Sequence, residues 1–241
     1  MMMDATVTLL LAAALLPVVV MMLFVLWRDK KNPEPASQLI KGFVFGIFSA
    51  VGSLAFSMPI LLLGIASGNY ENAIEATWHS FFVAAIPEEL SKLLFLWLLL
   101  RHNPFFDEHL DGVVYAVCIG LGFAAFENVQ YLFAAGDSWL TTAVARGLLS
   151  VPGHFFFAVL MGYYYSLVHF GHDSKRNRLL VIAAPVIAHG IYDSIAMTTE
   201  VTPGMQLLFT VALLAFCNEL RKLCTRHIGE LIEADKYRNF G

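Results

Sequence analysis

Ionisable residues cluster in four motifs that lie inside strongly apolar stretches of the sequence. The motifs are Pro87-Glu88-Glu89-Leu90-Ser91-Lys92, Phe126-Glu127-Asn128, His154, and His189-Gly190-Ile191-Tyr192-Asp193. A charged side chain at the centre of a bilayer costs about 2.5–3.5 kcal/mol on insertion scales, so a chain that only spans a membrane would not carry several of them. We therefore predict that these side chains face one another around a polar site that performs chemistry.

The first motif combines two carboxylates with one amine. Glu88 and Glu89 precede Lys92 by four and three residues, so on a helix both carboxylates can reach the ammonium group. Two adjacent carboxylates in a low dielectric do not both ionise easily, and such tuning is what a general base needs to activate water. The alternative is a purely structural ion pair.

The second and third motifs lie on the next two apolar stretches. Glu127 and Asn128 end a helical face of small residues that begins at Gly120 and would allow close approach of a neighbouring helix. His154 follows Arg146 by two helical turns. We interpret Arg146 as a side chain that snorkels to the outer membrane face, and a lone His154 would by itself be a common packing residue.

The fourth motif places His189 and Asp193 four residues apart, so that the carboxylate can orient the imidazole or share a ligand with it. Pro87, Pro152 and Pro185 each precede one of the motifs within about one turn. Disturbed backbone at membrane depth is tolerated where it lines a cavity. The prolines therefore favour a polar cavity at the level of the motifs.

The composition is that of a polytopic membrane protein. Of 241 residues, 58% are hydrophobic and only 14% are charged, with a mean hydropathy of +0.68, whereas soluble domains have about 25% charged residues. The three cysteines form neither a disulfide framework nor a metal knuckle. No phosphate-binding loop, dinucleotide motif or basic nucleic-acid patch is present, so a nucleic-acid partner is not expected.

The apolar periodicity predicts an all-α, polytopic transmembrane helix bundle with about seven spans. The predicted spans are Ala5–Trp27, Ile40–Ala66, Thr77–Leu100, Leu110–Ala134, Ala143–Phe170, Leu179–Met197 and Met205–Leu223. We predict one integral membrane domain over residues 1–241, with a catalytic core at about 77–200 and a cytoplasmic tail at 221–241.

The basic residues predict the orientation. Apart from Lys92 and Arg146, which lie within spans, every one of the 15 Lys and Arg residues falls on the same side if the N-terminus is outside. By the positive-inside rule that side is the cytoplasm, so we expect an extracytoplasmic N-terminus, a cytoplasmic C-terminus and a location in the cell inner (cytoplasmic) membrane. With this topology the four motifs fall within one layer of about 10 Å.

Motif order gives a family resemblance. No His-Glu-x-x-His is present, which excludes the common zinc-protease helix. The four motifs, together with Asp111-Gly112 and the segment from Gly122 to Asn128, resemble the PrsW family of bacterial intramembrane proteases, distant relatives of the CAAX-processing membrane proteases. The resemblance covers residues 85–193. It implies hydrolysis of peptide bonds within the bilayer, with a membrane-protein substrate such as an anti-sigma factor.

Under this hypothesis eight residues form the catalytic site: Glu88, Glu89, Lys92, Glu127, Asn128, His154, His189 and Asp193. Glu88 or Glu89 would activate a water, and Lys92 would tune the pair. The histidines would stabilise the oxyanion or bind a metal, oriented by the remaining carboxylates and the amide.

The cofactor is either absent or a single Zn²⁺. A three-ligand site of His154, His189 and Glu127 is chemically sensible, although we favour the metal-free mechanism. The alternative function is a proton- or ion-coupled membrane transporter that uses the same buried carboxylates and histidines. No pair of matching broken helices, which many such transporters have, is evident in the two halves of the sequence.

Overall fold

The computed structural model describes residues 2–238, and every regular element in that range is helical, which confirms the predicted all-α class. Met1 of the predicted membrane domain and residues 239–241 of the predicted tail lie outside the described residues. Seven helical segments follow one another: α1 Met2–Arg28, α2 Ala36–Leu62, α3 residues 73–100, α4 Asp111–Ala134, α5 Gly136–His169, α6 Lys175–Val201 and α7 Gln206–Arg238.

Five of the seven helices, α1, α2, α4, α5 and α6, are long and apolar enough to cross a membrane. The other two predicted spans correspond to α3 and the first part of α7, which carry several charged residues within the required length. The protein is therefore a membrane protein with several candidate spans, and seven spans remain a prediction. The predicted span Ala143–Phe170 lies within α5, whose helical structure begins earlier, at Gly136, with a short 3₁₀ turn.

Helix α4 forms the centre of the bundle. It is buried over nearly all of its first four turns and packs against α1, α2 and α5. Helices α1 and α2, in contrast, expose large apolar side chains such as Leu16, Leu23 and Ile40. Because exposed apolar surface of this extent is stable in lipid rather than in water, these faces are the ones that suit contact with acyl chains.

Two sets of contacts define the ends of the bundle. At the end that carries most of the basic residues, here called the basic end, Phe106 stacks on His169 with ring centroids 4.3 Å apart. At the opposite end, the hydroxyl of Tyr70 donates a hydrogen bond of 2.6 Å to Glu200. Asn72 caps α3 there by accepting hydrogen bonds from the backbone N–H groups of residues 74 and 75.

Helices α3 and α5 each contain a π-helical turn directly before site residues. The turn Ser80–Ala85 precedes Pro87 in α3, and the turn Arg146–Ser150 precedes Pro152 in α5. Proline has no N–H group and its ring clashes with the carbonyl four residues earlier, so a widened turn relieves the conflict. Both prolines thus set the direction of the residues that follow them.

The predicted tail, residues 221–241, is helical as far as Arg238, since α7 is one continuous helix that runs past the apolar part of the bundle. Its second half packs on the basic end, where His227 stacks on Tyr163 with centroids 3.8 Å apart. Asp235 accepts hydrogen bonds from the backbone N–H groups of His109 (2.7 Å) and Leu110 (3.0 Å). The carboxylate thereby satisfies donors at the N-terminus of α4, where negative charge is favourable.

Asp235→Ala should lower the free energy of unfolding by about 1–2 kcal/mol, the typical value for the loss of an N-terminal cap. The measurement is equilibrium unfolding in mixed micelles. Glu233→Ala is the matched control, because Glu233 is exposed on the same helix and pairs only with exposed Lys236. Equal effects of the two substitutions would contradict the capping role.

Candidate active site

The centre of the site is an ion pair within α3. Lys92 Nζ lies 2.8 Å from Glu89 Oε1 and 3.3 Å from Glu88 Oε2, as the spacing of the motif predicted. Lys92 also lies 3.9 Å from the centroid of the Phe123 ring on α4. Glu89 is completely buried, and its Oε2 has no hydrogen-bond partner among the described residues. A buried charge of this kind is stable only when it is paired.

His189 on α6 joins this ion pair through both ring nitrogens. Nδ1 lies 2.9 Å from Glu89 Oε1, while Nε2 lies 3.1 Å from Asp193 Oδ2 and 3.9 Å from Glu88 Oε2. The i,i+4 contact predicted between His189 and Asp193 is thus present. The Phe157 ring stacks on the imidazole with centroids 4.7 Å apart, which fixes the ring plane. Glu89 therefore orients His189 so that Nε2 points to the two other carboxylates.

His154 on α5 lies between Lys92 and Glu127. Its Nε2 is 2.9 Å from Glu127 Oε2, and its Nδ1 is 3.4 Å from Lys92 Nζ. An ionised carboxylate only accepts hydrogen bonds and an ammonium group only donates them. These neighbours assign the His154 proton to Nε2, which donates to Glu127, and leave Nδ1 unprotonated as the acceptor that faces Lys92.

Arg146 turns inward, so the interpretation of this residue as a snorkelling side chain was wrong. Its Nη2 donates to Glu127 Oε2 at 2.6 Å and its Nε donates to Asn128 Oδ1 at 2.7 Å. Asn128 in turn donates to the carbonyl of Ala14 on α1 at 3.1 Å. The hydrogen bonds from the guanidinium group to these two acceptors stabilise the inward position more than exposure of the guanidinium group to water would stabilise the outward one. Arg146 is therefore a member of the site that sequence reasoning missed.

Close helix contacts bring these groups together. A Cβ atom at Gly120 would lie 2.7 Å from the Cβ atom of Ala158, so only glycine lets α4 and α5 approach next to His154. A Cβ atom at Gly190 would overlap the ring of Phe81 in the π-helical turn of α3. Helix α6 can therefore place His189 against the glutamates of α3 only because the next residue lacks a side chain.

A cavity of about 340 Å³ lies beside these groups and extends to Glu200. The polar residues that line it are Glu88, Glu127, Tyr131, Arg146, Ser150, His154, His189, Tyr192, Asp193 and Glu200. Leu213 of α7 forms part of its apolar wall. Glu89 and Lys92 are not among the lining residues, so Glu88 is the member of the glutamate pair that faces the cavity.

The site has an excess of negative charge. Lys92 and Arg146 provide two positive charges against the four carboxylates in contact with them or with the histidines, which leaves −2 if all are ionised and both histidines are neutral. The four carboxylates are Glu88, Glu89, Glu127 and Asp193. A divalent cation, or protons on two of the groups, would balance this charge.

The donor set fits a metal ion. Glu88, His154 and His189 each offer one ligand atom, and these atoms lie within 4.8 Å of one another. Two imidazoles and one carboxylate are the ligand set of many catalytic zinc sites. The predicted set named Glu127 instead of Glu88. In the structure Glu127 is engaged by Arg146 and by His154, whereas Glu88 shares the cavity with both histidines.

The structure brings all eight predicted site residues together, and it adds three side chains that were not predicted. These are Arg146, Phe123 and Phe157. The signal for Arg146 was its position two turns before His154 on the same helix face. Phe123 and Phe157 could have been found in the same way, since they lie one turn from Glu127 and His154 on their helices.

Apolar helices packed around a buried set of carboxylates, histidines and a lysine define a membrane protein that carries out polar chemistry inside the bilayer. A sequence model described as "PrsW family intramembrane metalloprotease" matches residues 34–217. The chain belongs to this family of membrane proteases. No solved structure matches it.

Curated relatives agree with the family match. "Protease PrsW" of Clostridioides difficile (strain 630) is 34% identical over 188 residues, which cover 76% of this chain and 77% of the relative. "Protease PrsW" of Geobacillus kaustophilus (strain HTA426) is 32% identical over 205 residues, which cover 85% and 87%. These relatives are named as proteases, so they do not favour the transporter alternative.

Lys92→Met should destabilise the protein by about 3–5 kcal/mol, because it leaves buried Glu89 without its cation. The double variant Lys92→Met/Glu89→Gln should lose less stability than Lys92→Met, since it removes both charges. Unfolding in mixed micelles measures both effects. Lys222→Met is the control, because its ion pair with Glu219 is exposed and worth less than about 1 kcal/mol. A double variant that is less stable than Lys92→Met would contradict the pairing argument.

Proposed function

We propose that this membrane protease cleaves membrane-associated proteins at the cavity between α3, α4, α5 and α6, with Glu88 as the general base that activates water. One observation carries the proposal: of the two paired glutamates, Glu88 lines the cavity while Glu89 is buried behind it. A general base must lie within hydrogen-bond reach of the water that it deprotonates, and only a group at the cavity surface meets this requirement.

The other residues have complementary roles in this proposal. Lys92 keeps the glutamate pair in place and offsets one of its charges. Glu89 holds the Nδ1–H group of His189, which leaves Nε2 directed toward Glu88 and Asp193. After attack on the peptide carbonyl, Glu88 can pass the proton that it took from water to the leaving amine.

A divalent cation fits the same site, and zinc is the candidate that the ligand types favour. Glu88, His154 and His189 would hold it, and the description of the family as metalloproteases supports its presence. When bound, the ion would act as a Lewis acid that polarises the peptide carbonyl and makes water more acidic. A carboxylate has two oxygens, so Glu88 could hold an ion and still accept a proton. Glu89 would then support His189 as the carboxylate partner that metal-binding histidines usually have.

We further propose the topology and the substrate class. The distribution of Lys and Arg supports an N-terminus outside, a C-terminus in the cytoplasm and residence in the inner membrane. In this orientation the cavity extends toward the extracytoplasmic side. The substrate is a membrane-anchored protein, and anti-sigma factors are the candidates that the family resemblance suggests.

Glu88→Gln and Glu89→Gln should each reduce cleavage by at least about 100-fold, the scale on which a general base contributes. The first variant loses the base, and the second loses the acceptor that orients His189. Purified protein in detergent with a full-length membrane substrate provides the assay, and Glu219→Gln on the exposed side of α7 is the control. Wild-type rates in both variants would mean that the two carboxylates are structural.

Metal analysis of purified protein tests the cation. We expect near-stoichiometric zinc in the wild type and its loss, together with activity, in His154→Ala and His189→Ala, because the two remaining ligands hold zinc poorly. His172→Ala, at an exposed position, should keep the metal. A metal-free, chelator-resistant and active wild type would instead support hydrogen-bond donation by the histidines, with a loss of about 10²–10³ in rate for each.

The topology can be tested with single cysteines in a background without the native three. Asn69→Cys, in the exposed loop between α2 and α3, should react with an impermeant thiol reagent added to intact cells. His172→Cys, in the loop between α5 and α6, should react only after the cells are opened. The reverse pattern would overturn the proposed orientation.

A further inference from the structure

We infer that Arg146 is a positioning residue of the active site, which acts through Glu127 to hold His154 in a single tautomer, with Nε2–H donated to Glu127 and unprotonated Nδ1 facing Lys92. The inference rests on the proposed function of His154 in the site. It concerns a residue outside the four motifs, and it assigns that residue an effect on catalysis rather than on membrane insertion alone.

The geometry of the guanidinium group supports this role. Its Nε and Nη2 atoms lie on one edge and donate to two neighbouring acceptors, Asn128 Oδ1 at 2.7 Å and Glu127 Oε2 at 2.6 Å. Its Cζ atom lies 3.9 Å from the centroid of the Tyr131 ring. An ammonium group could make one of these contacts but not the planar, two-point arrangement.

The same contacts fix Glu127 relative to three helices. Asn128, held by Arg146, donates to the carbonyl of Ala14 on α1, while Arg146 itself lies in the π-helical turn of α5. The Glu127 side chain on α4 lines the cavity, and these contacts leave it little freedom to rotate. It is 21% exposed, so without this restraint it could turn toward water instead.

The link to catalysis is the oxygen that Arg146 and His154 share. Glu127 Oε2 accepts hydrogen bonds from Arg146 Nη2 and from His154 Nε2. As long as this oxygen stays in place, the His154 proton stays on Nε2 and the Nδ1 lone pair faces Lys92 and the interior of the site. Displacement of Glu127 would leave Nε2 without its acceptor, and the proton could move to Nδ1.

Arg146→Met keeps an unbranched apolar side chain and removes every donor, so it is the main test variant. We expect kcat to fall by about 10–100-fold, because misplacement of a catalytic group by about 1 Å costs up to that factor, with KM changed less than about threefold. Arg146→Lys should recover part of kcat but not all of it. Arg178→Met is the control, since Arg178 is exposed and pairs with Asp173 in the loop between α5 and α6.

A double-mutant cycle separates a positioning role from a general structural one. If Arg146 acts through Glu127, then Arg146→Met in a Glu127→Gln background should change kcat by less than about twofold, since coupled residues are not additive. Additive losses would overturn the inference. Thermal unfolding of each variant in detergent identifies any that fail to fold, in which case the Arg146→Lys and Glu127→Gln variants complete the comparison.

The tautomer can be read directly from ¹⁵N chemical shifts of histidine-labelled protein in micelles, with His154 assigned by its loss in His154→Gln. After any bound metal is removed with a chelator, the wild type should show protonated Nε2 and unprotonated Nδ1, and Arg146→Met should show a mixture of tautomers. Identical shifts in both proteins would overturn the inference. If the wild type cleaves no substrate, the proposed protease mechanism fails, but the shifts still decide whether Arg146 fixes His154.

Discussion

Four carboxylates in the interior of a membrane protein must be paired with cations or hydrogen-bond donors. This requirement accounts for the contacts between the helices that carry the site. Lys92 forms ion pairs with the two glutamates on its own helix, and Arg146 on α5 forms an ion pair with Glu127 on α4. The histidines connect the two pairs into one hydrogen-bonded chain. Because a charge left alone in this environment costs several kcal/mol, the four helices that carry these residues are bound to one another by their polar groups as well as by their packing.

The same excess of negative charge gives the site its chemical character. A structural network would be most stable if cations and carboxylates were equal in number. With both histidines neutral, two carboxylates here have no matching cation. Glu88 faces the cavity next to both histidines. Such a site is prepared to bind a cation, to hold a proton between acceptors, or to do both in turn. This imbalance is difficult to explain as a device for stability.

Two helices use the same distortion to aim their functional residues. A π-helical turn accommodates one extra residue, so the side chains that follow it are rotated by about 100° relative to a regular α-helix. In α3 and α5 this rotation about the helix axis comes immediately before Glu88 and His154, respectively. Insertions of this kind are frequent at functional sites, and Pro87 and Pro152 make them favourable because a widened turn suits proline.

The sequence predicted what depends on short spacing within one helix. The contacts of Lys92 with the two glutamates, and of His189 with Asp193, follow from the three- and four-residue periodicity. The fold class followed from composition. Two features depend on how one helix is rotated against another, and the sequence did not predict them. One is the inward direction of the Arg146 side chain, and the other is that Glu88 rather than Glu127 lies within ligand distance of both histidines. The π-helical turns change that rotation and have no clear signature in one sequence.

Helix boundaries show the same limit. The apolar run ends near residue 223, where the predicted span gives way to the predicted tail. The helix continues to Arg238, and Asp235 and His227 contact partners at the basic end that hydropathy does not identify. The contacts of Asp235 connect residues more than one hundred positions apart. Propensity and hydropathy do not contain that information.

Helix α7 contributes both to the wall of the cavity, through Leu213, and to the N-terminus of α4, through Asp235. It also follows the six other helices in the chain, so it leaves the ribosome after them. During biogenesis the nascent protein therefore holds its complete set of polar residues before the last wall is in place. Leu213 can therefore complete its part of the cavity wall only after the polar residues that line the rest of the cavity have been synthesised.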